Sequence, residues 1–117
     1  MYIIQSIVST VAFRGIETLD VSVQVHMSNA LPAKRIAVNL SPADLLKEGA
    51  HFDLPIAMGL LTAMGVLPSD CLSEHILLGE LSLDGSVRQV TGIWFALPKM
   101  AQRQHGRAIL PSLPLKI

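Results

Sequence analysis

The first third of the chain alternates between apolar and polar positions, a pattern that is typical of half-buried β-strands. Residues 2–13 are rich in isoleucine, valine and threonine, and Gly15 separates them from a second alternating run over residues 21–27. Residues 35–40 resume the alternation and place Ile36, Val38 and Leu40 on one face. The pattern therefore predicts three consecutive strands.

Helical periodicity begins after a polar, turn-prone connection over residues 41–50. From Asp53 to about Gly65 apolar side chains cover most of the circumference, which predicts a helix that is central to the fold. Asp53 fits the N-cap, where its carboxylate would accept backbone N–H groups and complement the helix dipole. Pro55 would lie in the first turn, where its missing N–H costs little.

The second half of the chain predicts two paired strands, a helix and a last short strand. Residues 76–83 and 87–90 flank Asp84 and Gly85, a dipeptide that strongly favours a hairpin turn. Residues 91–106 are helical in character, although Pro98 would kink or shorten the helix. Residues 108–110 can add a final strand.

The composition is that of a single folded domain with balanced charge. Half of the 117 residues are apolar and 15% are charged, with nine basic and nine acidic side chains, so no cationic field favours nucleic acid or membranes. Cys71 is the only cysteine, which indicates a reducing compartment. The sequence contains no charged leader and no apolar run of membrane-spanning length, so we expect a cytoplasmic location.

Two long motifs carry a resemblance to a known family. They are LPAKRIAVNLSPADLLKEGAHFDLPIAMGLL and LLGELSLDGSVRQVTGI, and VQVHMSNALP precedes the first of them and shares its Leu31 and Pro32. The chain resembles the N-terminal domain of magnesium-chelatase-like AAA+ ATPases, the ComM/YifB group. This resemblance implies an α+β fold similar to the proteolytic domain of Lon and to the second domain of ribosomal protein S5, with a mixed sheet packed against helices.

The chain departs from that family in two ways. In the family a strand and a helix, roughly thirty residues and thus the size of a βαβ unit, lie between the motif that ends at Pro32 and the block that begins at Ala33. Here the two are joined directly. No lysine lies in a G-x-x-x-x-G-K-[ST] motif, so we expect neither ATP hydrolysis nor a bound cofactor. Residues 1–117 are predicted to form one truncated Lon-like domain.

The resemblance also implies where a protease site would lie. Lon-type proteases use a serine nucleophile at the start of one helix and a lysine from a second helix as general base. The motif match places Asp53 at the serine position and Trp94 at about the lysine position. Neither side chain can replace its counterpart, so we predict that the dyad is degenerate and that the chain has no catalytic residue.

Two chemical alternatives concern the loop that precedes the predicted helix. Glu48, His51 and Asp53 could bind a divalent cation, because imidazole and carboxylates suit such ions. A divergent hydrolase could instead use Asp53 or His51. Both are weaker interpretations than a structural cap, since one short loop provides few ligands and no complete catalytic set.

A third alternative is a nucleic-acid contact through Lys34, Arg35 and Lys47. The full-length ATPases of the family resemble DNA-remodelling motors of natural competence, and basic side chains at a strand end could contact phosphates. Direct DNA binding is not favoured, because such residues more often solvate strand and loop ends and few aromatic residues could stack on bases.

The leading hypothesis is a non-catalytic accessory or interaction domain of a competence-related AAA+ ATPase. We expect its partners to be copies of itself, forming a homo-oligomer, or AAA+ ATPase subunits. Loss of a strand and a helix would uncover apolar surface, and burial of that surface in a partner would be favourable.

Overall fold

A long hairpin of two twelve-residue strands forms the centre of the fold. β1 (Ile3–Arg14) and β2 (Glu17–Ser28) pair antiparallel along their lengths. Gly15 turns the chain with a φ of 61°, in the left-handed region that glycine adopts without strain. The computed structural model describes residues 3–15, 17–28, 35–68, 70–72, 75–89 and 107–109.

The other strands extend this hairpin into a mixed five-stranded sheet. β3 (Arg35–Ser41) pairs antiparallel with β2, whereas β4 (His75–Leu77) pairs parallel with β1. Two strands pair within a separate antiparallel hairpin, β5 (Glu80–Leu81) and β6 (Val87–Arg88). β7 (Arg107–Ile109) pairs parallel with β4, so the main sheet has the order β3-β2-β1-β4-β7.

In the described residues one helix packs across the centre of this sheet. A short 3-10 turn (Ala50–Phe52) leads directly into α1 (Asp53–Ala63), which lies against β1 and β2. Gly59 allows a close approach, since its carbonyl accepts a 2.8 Å hydrogen bond from the hydroxyl of Ser6. A Cβ at Gly59 would lie 3.1 Å from Val25. The buried side chains between helix and sheet are Val8, Ala12, Val21, Val23, Phe52, Leu54, Leu72 and Leu77.

The opposite face of the sheet is also apolar at its centre. Val11, Ile76 and Leu78 are buried there, with Phe13 packed against them. The hydroxyl of Thr10 donates a buried 2.7 Å hydrogen bond to the carbonyl of Leu77 and so ties β1 to β4 where their ladder is short. β1 and β4 are inner strands of the sheet, and apolar side chains are buried on both of its faces at this point.

The structure confirms most of the predicted elements. The first three strands, α1 with Pro55 in its first turn, and the last strand lie where the pattern predicts them. The prediction of one continuous strand over residues 76–83 is wrong, because the run divides at Gly79 into β4 of the main sheet and β5 of the hairpin. The helix predicted over residues 91–106 lies outside the described residues. The α+β class with a mixed sheet is confirmed.

Cys71 is a free, half-buried thiol that packs against the core below α1. No helix in the described ranges combines the length and the hydropathy needed to cross a membrane.

Candidate functional site at the start of helix α1

Asp53 joins α1 to the β5–β6 hairpin. Its Oδ2 accepts the backbone N–H of Leu81 at 3.1 Å. Asp53 is the first residue of the helix, and Phe52 is the N-cap without a side-chain cap bond. The N-cap prediction is therefore wrong by one position, because the preceding 3-10 turn already gives Phe52 helical dihedral angles, φ −76° and ψ −12°. The carboxylate still lies at the positive end of the helix dipole.

Gly79 makes two further backbone contacts with the same turn. Its carbonyl accepts the N–H of Leu54 at 3.0 Å, and its N–H donates to the carbonyl of His51 at 3.2 Å. A Cβ at Gly79 would lie only 2.8 Å from Val87, so a larger residue would push the hairpin away from the helix. These two bonds and the Asp53 contact make three hydrogen bonds that join the two sequence motifs. We call this group of contacts the helix–hairpin junction.

His51 is a buried structural residue of this junction. The side chain is 2% exposed, and Nε2 donates a 2.8 Å hydrogen bond to the carbonyl of Val11 in β1. Its ring packs between Phe13 and Phe52, with centroid distances of 4.9 Å and 4.1 Å. Burial lowers the pKa of His51 from its ordinary value, against smaller opposing effects of the Val11 bond and of the Asp53 charge. A neutral imidazole that donates to a carbonyl holds the loop against the sheet.

The geometry does not assemble the predicted metal ligands. Glu48 is exposed in the loop, whereas His51 is bonded to Val11 and Asp53 to Leu81. The described residues contain no group of three His, Cys, Asp or Glu side chains that could hold an ion. The metal hypothesis therefore has no support in this part of the chain.

The hydrolase alternative would place its chemistry at His51 or Asp53. Two surface clefts formed by the described residues lie elsewhere, and neither is lined by His51 or Asp53. The first is lined by Arg14, Leu19, Asp20, Pro42, Asp44 and Leu45. The second lies along the hairpin and is lined by Glu80, Leu81, Ser82, Leu83, Asp84 and Arg88.

The structure separates the basic residues that were candidates for a nucleic-acid contact. Arg35 is exposed at the start of β3, whereas the Nζ of Lys47 donates to the carbonyls of Pro42 and Leu45 beyond the other end of that strand. Seven residues of β-strand span roughly 20 Å. Lys34 lies outside the described residues. Arg35 and Lys47 consequently belong to different regions of the surface, and Lys47 is engaged in fixing its own loop.

Of the two predicted dyad positions, one lies in the described part of the chain. Asp53 stands at the start of α1, as the motif match predicts, and its carboxylate is engaged by the hairpin. Trp94 lies outside the described residues.

Sequence reasoning missed the contribution of Gly79, although a glycine inside an apolar run is a recognised signal for close backbone approach.

Comparison with known proteins places this chain in a family. The sequence model described as subunit ChlI of Mg-chelatase matches residues 17–113, which is most of the chain. The uncharacterised protein YifB of Escherichia coli is 37% identical over 118 aligned positions, covering 74% of this chain and 23% of that relative. The competence protein ComM of Haemophilus influenzae is 53% identical over 62 residues, covering 53% of this chain and 12% of the relative. The chain therefore belongs to the magnesium-chelatase ChlI family, within its ComM/YifB group.

The extent of these matches carries two further facts. The chain spans about a quarter of the E. coli relative, 23% of its length. Because 74% of 117 residues is about 87, about 31 of the 118 aligned positions have no counterpart in this chain. A gap of that size agrees with the strand–helix segment that the sequence motifs indicate is absent after Pro32.

Proposed function

We propose that this chain is a non-catalytic accessory domain of a magnesium-chelatase-like AAA+ ATPase, with a Lon-like, S5 domain 2-like fold over residues 1–117. The observation that carries the proposal is the contact between Asp53 and Leu81. The residue at the nucleophile position of the Lon-type site is a carboxylate that fastens a helix to a hairpin. Because the carboxylate of Asp53 is engaged in that hydrogen bond, we infer that its role is to stabilise the domain.

Exposed apolar side chains support a role in protein contacts. The hairpin carries three of them, Leu81, Leu83 and Val87, and Leu83 at its tip is fully exposed. Several exposed apolar side chains on one hairpin favour an interaction surface. We propose an ATPase subunit of the same family as the partner, in the cytoplasm. The name of the Haemophilus relative suggests natural competence as the process, in which this domain would organise the motor or the entry of its substrate.

The test is complex formation with a family ATPase from the same cell. The purified chain is mixed with that ATPase, and binding is measured by size-exclusion chromatography and by its effect on ATP hydrolysis. Leu83→Ser should weaken binding, whereas Leu46→Ser, which changes another exposed leucine on a separate loop, should not. Absence of any complex would overturn the accessory role.

The enzymatic alternative has its own measurement. The chain is incubated with an unfolded protein such as casein and with fluorescent peptides, and cleavage is compared between the parent and Asp53→Asn. We expect no cleavage by either protein. Turnover by the parent that is lost in Asp53→Asn would contradict the non-catalytic assignment.

A further inference from the structure

β3 forms one edge of the five-stranded sheet in the described part of the chain. It pairs with β2 through all seven of its residues in an unbroken antiparallel register, from Arg35 opposite Ser28 to Ser41 opposite Ser22. Its other side therefore presents backbone N–H and C=O groups that β2 does not use. Such an edge is a template for one more strand.

The side chains of this edge form an apolar row on the face that α1 covers. Leu40 packs against the clusters below the helix, which identifies the face, and Ile36 and Val38 alternate with it. Ile36 is 46% exposed and Val38 is 41% exposed, because α1 lies over β1 and β2 and does not cover β3. The apolar row therefore extends from the core to the edge of the sheet, where its side chains are partly exposed.

This edge lacks the features that usually protect such strands. Natural edge strands commonly carry charges, prolines or bulges that prevent pairing. Residues 36–40 contain neither a charge nor a proline, and the register with β2 has no bulge. The only charged residue of β3 is Arg35, at its first position.

A segment present in a longer relative has no counterpart in this chain, and the sequence motifs place the gap next to β3 in the sequence. About 31 positions of the Escherichia relative have no counterpart here, and the sequence motifs place the junction immediately before β3. The chain therefore keeps the edge strand but lacks a neighbouring segment with the size of a strand and a helix. A strand supplied by a partner would extend the sheet at the position next to β3.

We propose that β3 of a second copy of this chain pairs antiparallel with β3, about a two-fold axis at Val38, and joins the two sheets into one. This inference goes beyond the accessory role, since it concerns contact between identical chains. A second copy is proposed as the partner at this edge because β3 is complementary to itself. A strand can pair with its own copy only if the residues that the two-fold axis brings together are compatible.

The residues of β3 meet this requirement. Pairing about Val38 places Val38 opposite its own copy and Ile36 opposite Leu40, so the apolar row meets an apolar row. Ala37 falls opposite Asn39 on the other face. Arg35 falls opposite Ser41, so no like charges meet. The combined row is continuous with the cores below both helices.

The test begins with the molecular mass of the purified chain across the micromolar range, measured by light scattering after size exclusion. We expect a dimer, and Val38→Lys should raise its dissociation constant by on the order of tenfold or more, because two lysines would lie opposite each other. Leu83→Lys is the matched control, since it introduces the same charge at an exposed apolar position away from the edge. Circular dichroism must show that each variant is folded.

A second variant tests the register independently of stability. In a Cys71→Ser background, Val38→Cys should form an intermolecular disulfide under mild oxidation, because directly opposed residues have Cα atoms roughly 5 Å apart. Arg35→Cys should not form one, since its two copies would lie at opposite ends of the paired strands. A monomeric parent, a dimer that persists in Val38→Lys, or the absence of the Val38→Cys crosslink would each overturn the proposal. Binding of an ATPase subunit is measured separately. The β3–β3 dimer and the accessory role can therefore be rejected independently of each other.

Discussion

The carboxylate of Asp53 and the backbone N–H of Leu81 meet at 3.1 Å, although 28 residues separate them in the chain. This contact joins the first turn of α1 to the first strand of the β5–β6 hairpin. Gly79 reinforces it with two backbone hydrogen bonds to the same turn. The two motifs that carry the family resemblance therefore form one structural unit, in which the side chain at the predicted nucleophile position holds the hairpin.

Removal of that carboxylate should loosen the hairpin. We expect Asp53→Ala to lower the free energy of unfolding by about 1 kcal/mol, since one partly exposed hydrogen bond is lost. Hydrogen exchange at the amide of Leu81 should accelerate, whereas Asp53→Asn should retain most of the protection through its amide oxygen. Asp44→Ala, which changes an exposed loop carboxylate, is the control. Unchanged exchange at Leu81 in Asp53→Ala would show that the contact does not form in solution.

Gly49 should tolerate no side chain. Its φ of 120° and ψ of 151° lie in a region that only glycine adopts readily, and a Cβ there would lie 2.6 Å from Nδ1 of His51. We expect Gly49→Ala to lower the free energy of unfolding by about 3 kcal/mol through strain and displacement of the ring. Gly65→Ala is matched, because Gly65 also has a positive φ, of 81°, but a Cβ there would meet nothing within 4 Å. Gly65→Ala should lower the free energy of unfolding by about 1 kcal/mol. If urea denaturation showed equal losses of unfolding free energy for the two variants, the steric argument would be contradicted.

His51 should make stability depend on pH. Burial lowers the pKa of His51 in the folded protein below its ordinary value of 6.5, so the unfolded chain binds more protons as the solution becomes acidic. The contribution of His51 is therefore fully present above about pH 6.5 and is lost as the pH falls towards the folded-state pKa.

The measurement is the urea midpoint as a function of pH, together with the ring titration of His51 by NMR. His51→Phe should have a lower plateau, because Val11 loses its donor, and a flatter dependence on pH. A slope that is the same in His51→Phe and in the parent would assign the pH dependence to another group.

The strands of the main sheet could be predicted from the sequence because their burial follows the period of two. Val21, Val23 and Val25 are all buried on the α1 face, as their alternation indicates. The same argument fails for residues 76–83, where apolar side chains continue across two elements without a change of period. The division at Gly79 depends on hydrogen bonds to residues 51 and 54, which lie far away in the sequence.

The candidate site shows the same limit. The residue type of Asp53 and its place before an apolar run correctly indicate the start of a helix, but the partner of its carboxylate is a tertiary contact. The pattern also presents His51 as a possible ligand or base. Only the fold shows that its ring is buried between Phe13 and Phe52 with Nε2 donating to a carbonyl.

Substitution of Lys47 tests whether this side chain has a structural role or contacts nucleic acid. Its ammonium donates to the carbonyls of Pro42 and Leu45, so Lys47→Gln should lower the free energy of unfolding by about 1 kcal/mol. Arg35→Gln, at the exposed start of β3, should leave stability unchanged within about 0.5 kcal/mol. Affinity for DNA at low salt, measured by fluorescence anisotropy, should be equally weak for both variants and the parent. If each substitution instead reduced the dependence of log affinity on log salt by about one unit, both side chains would contact phosphates, and the DNA-binding alternative would replace the structural assignment of Lys47.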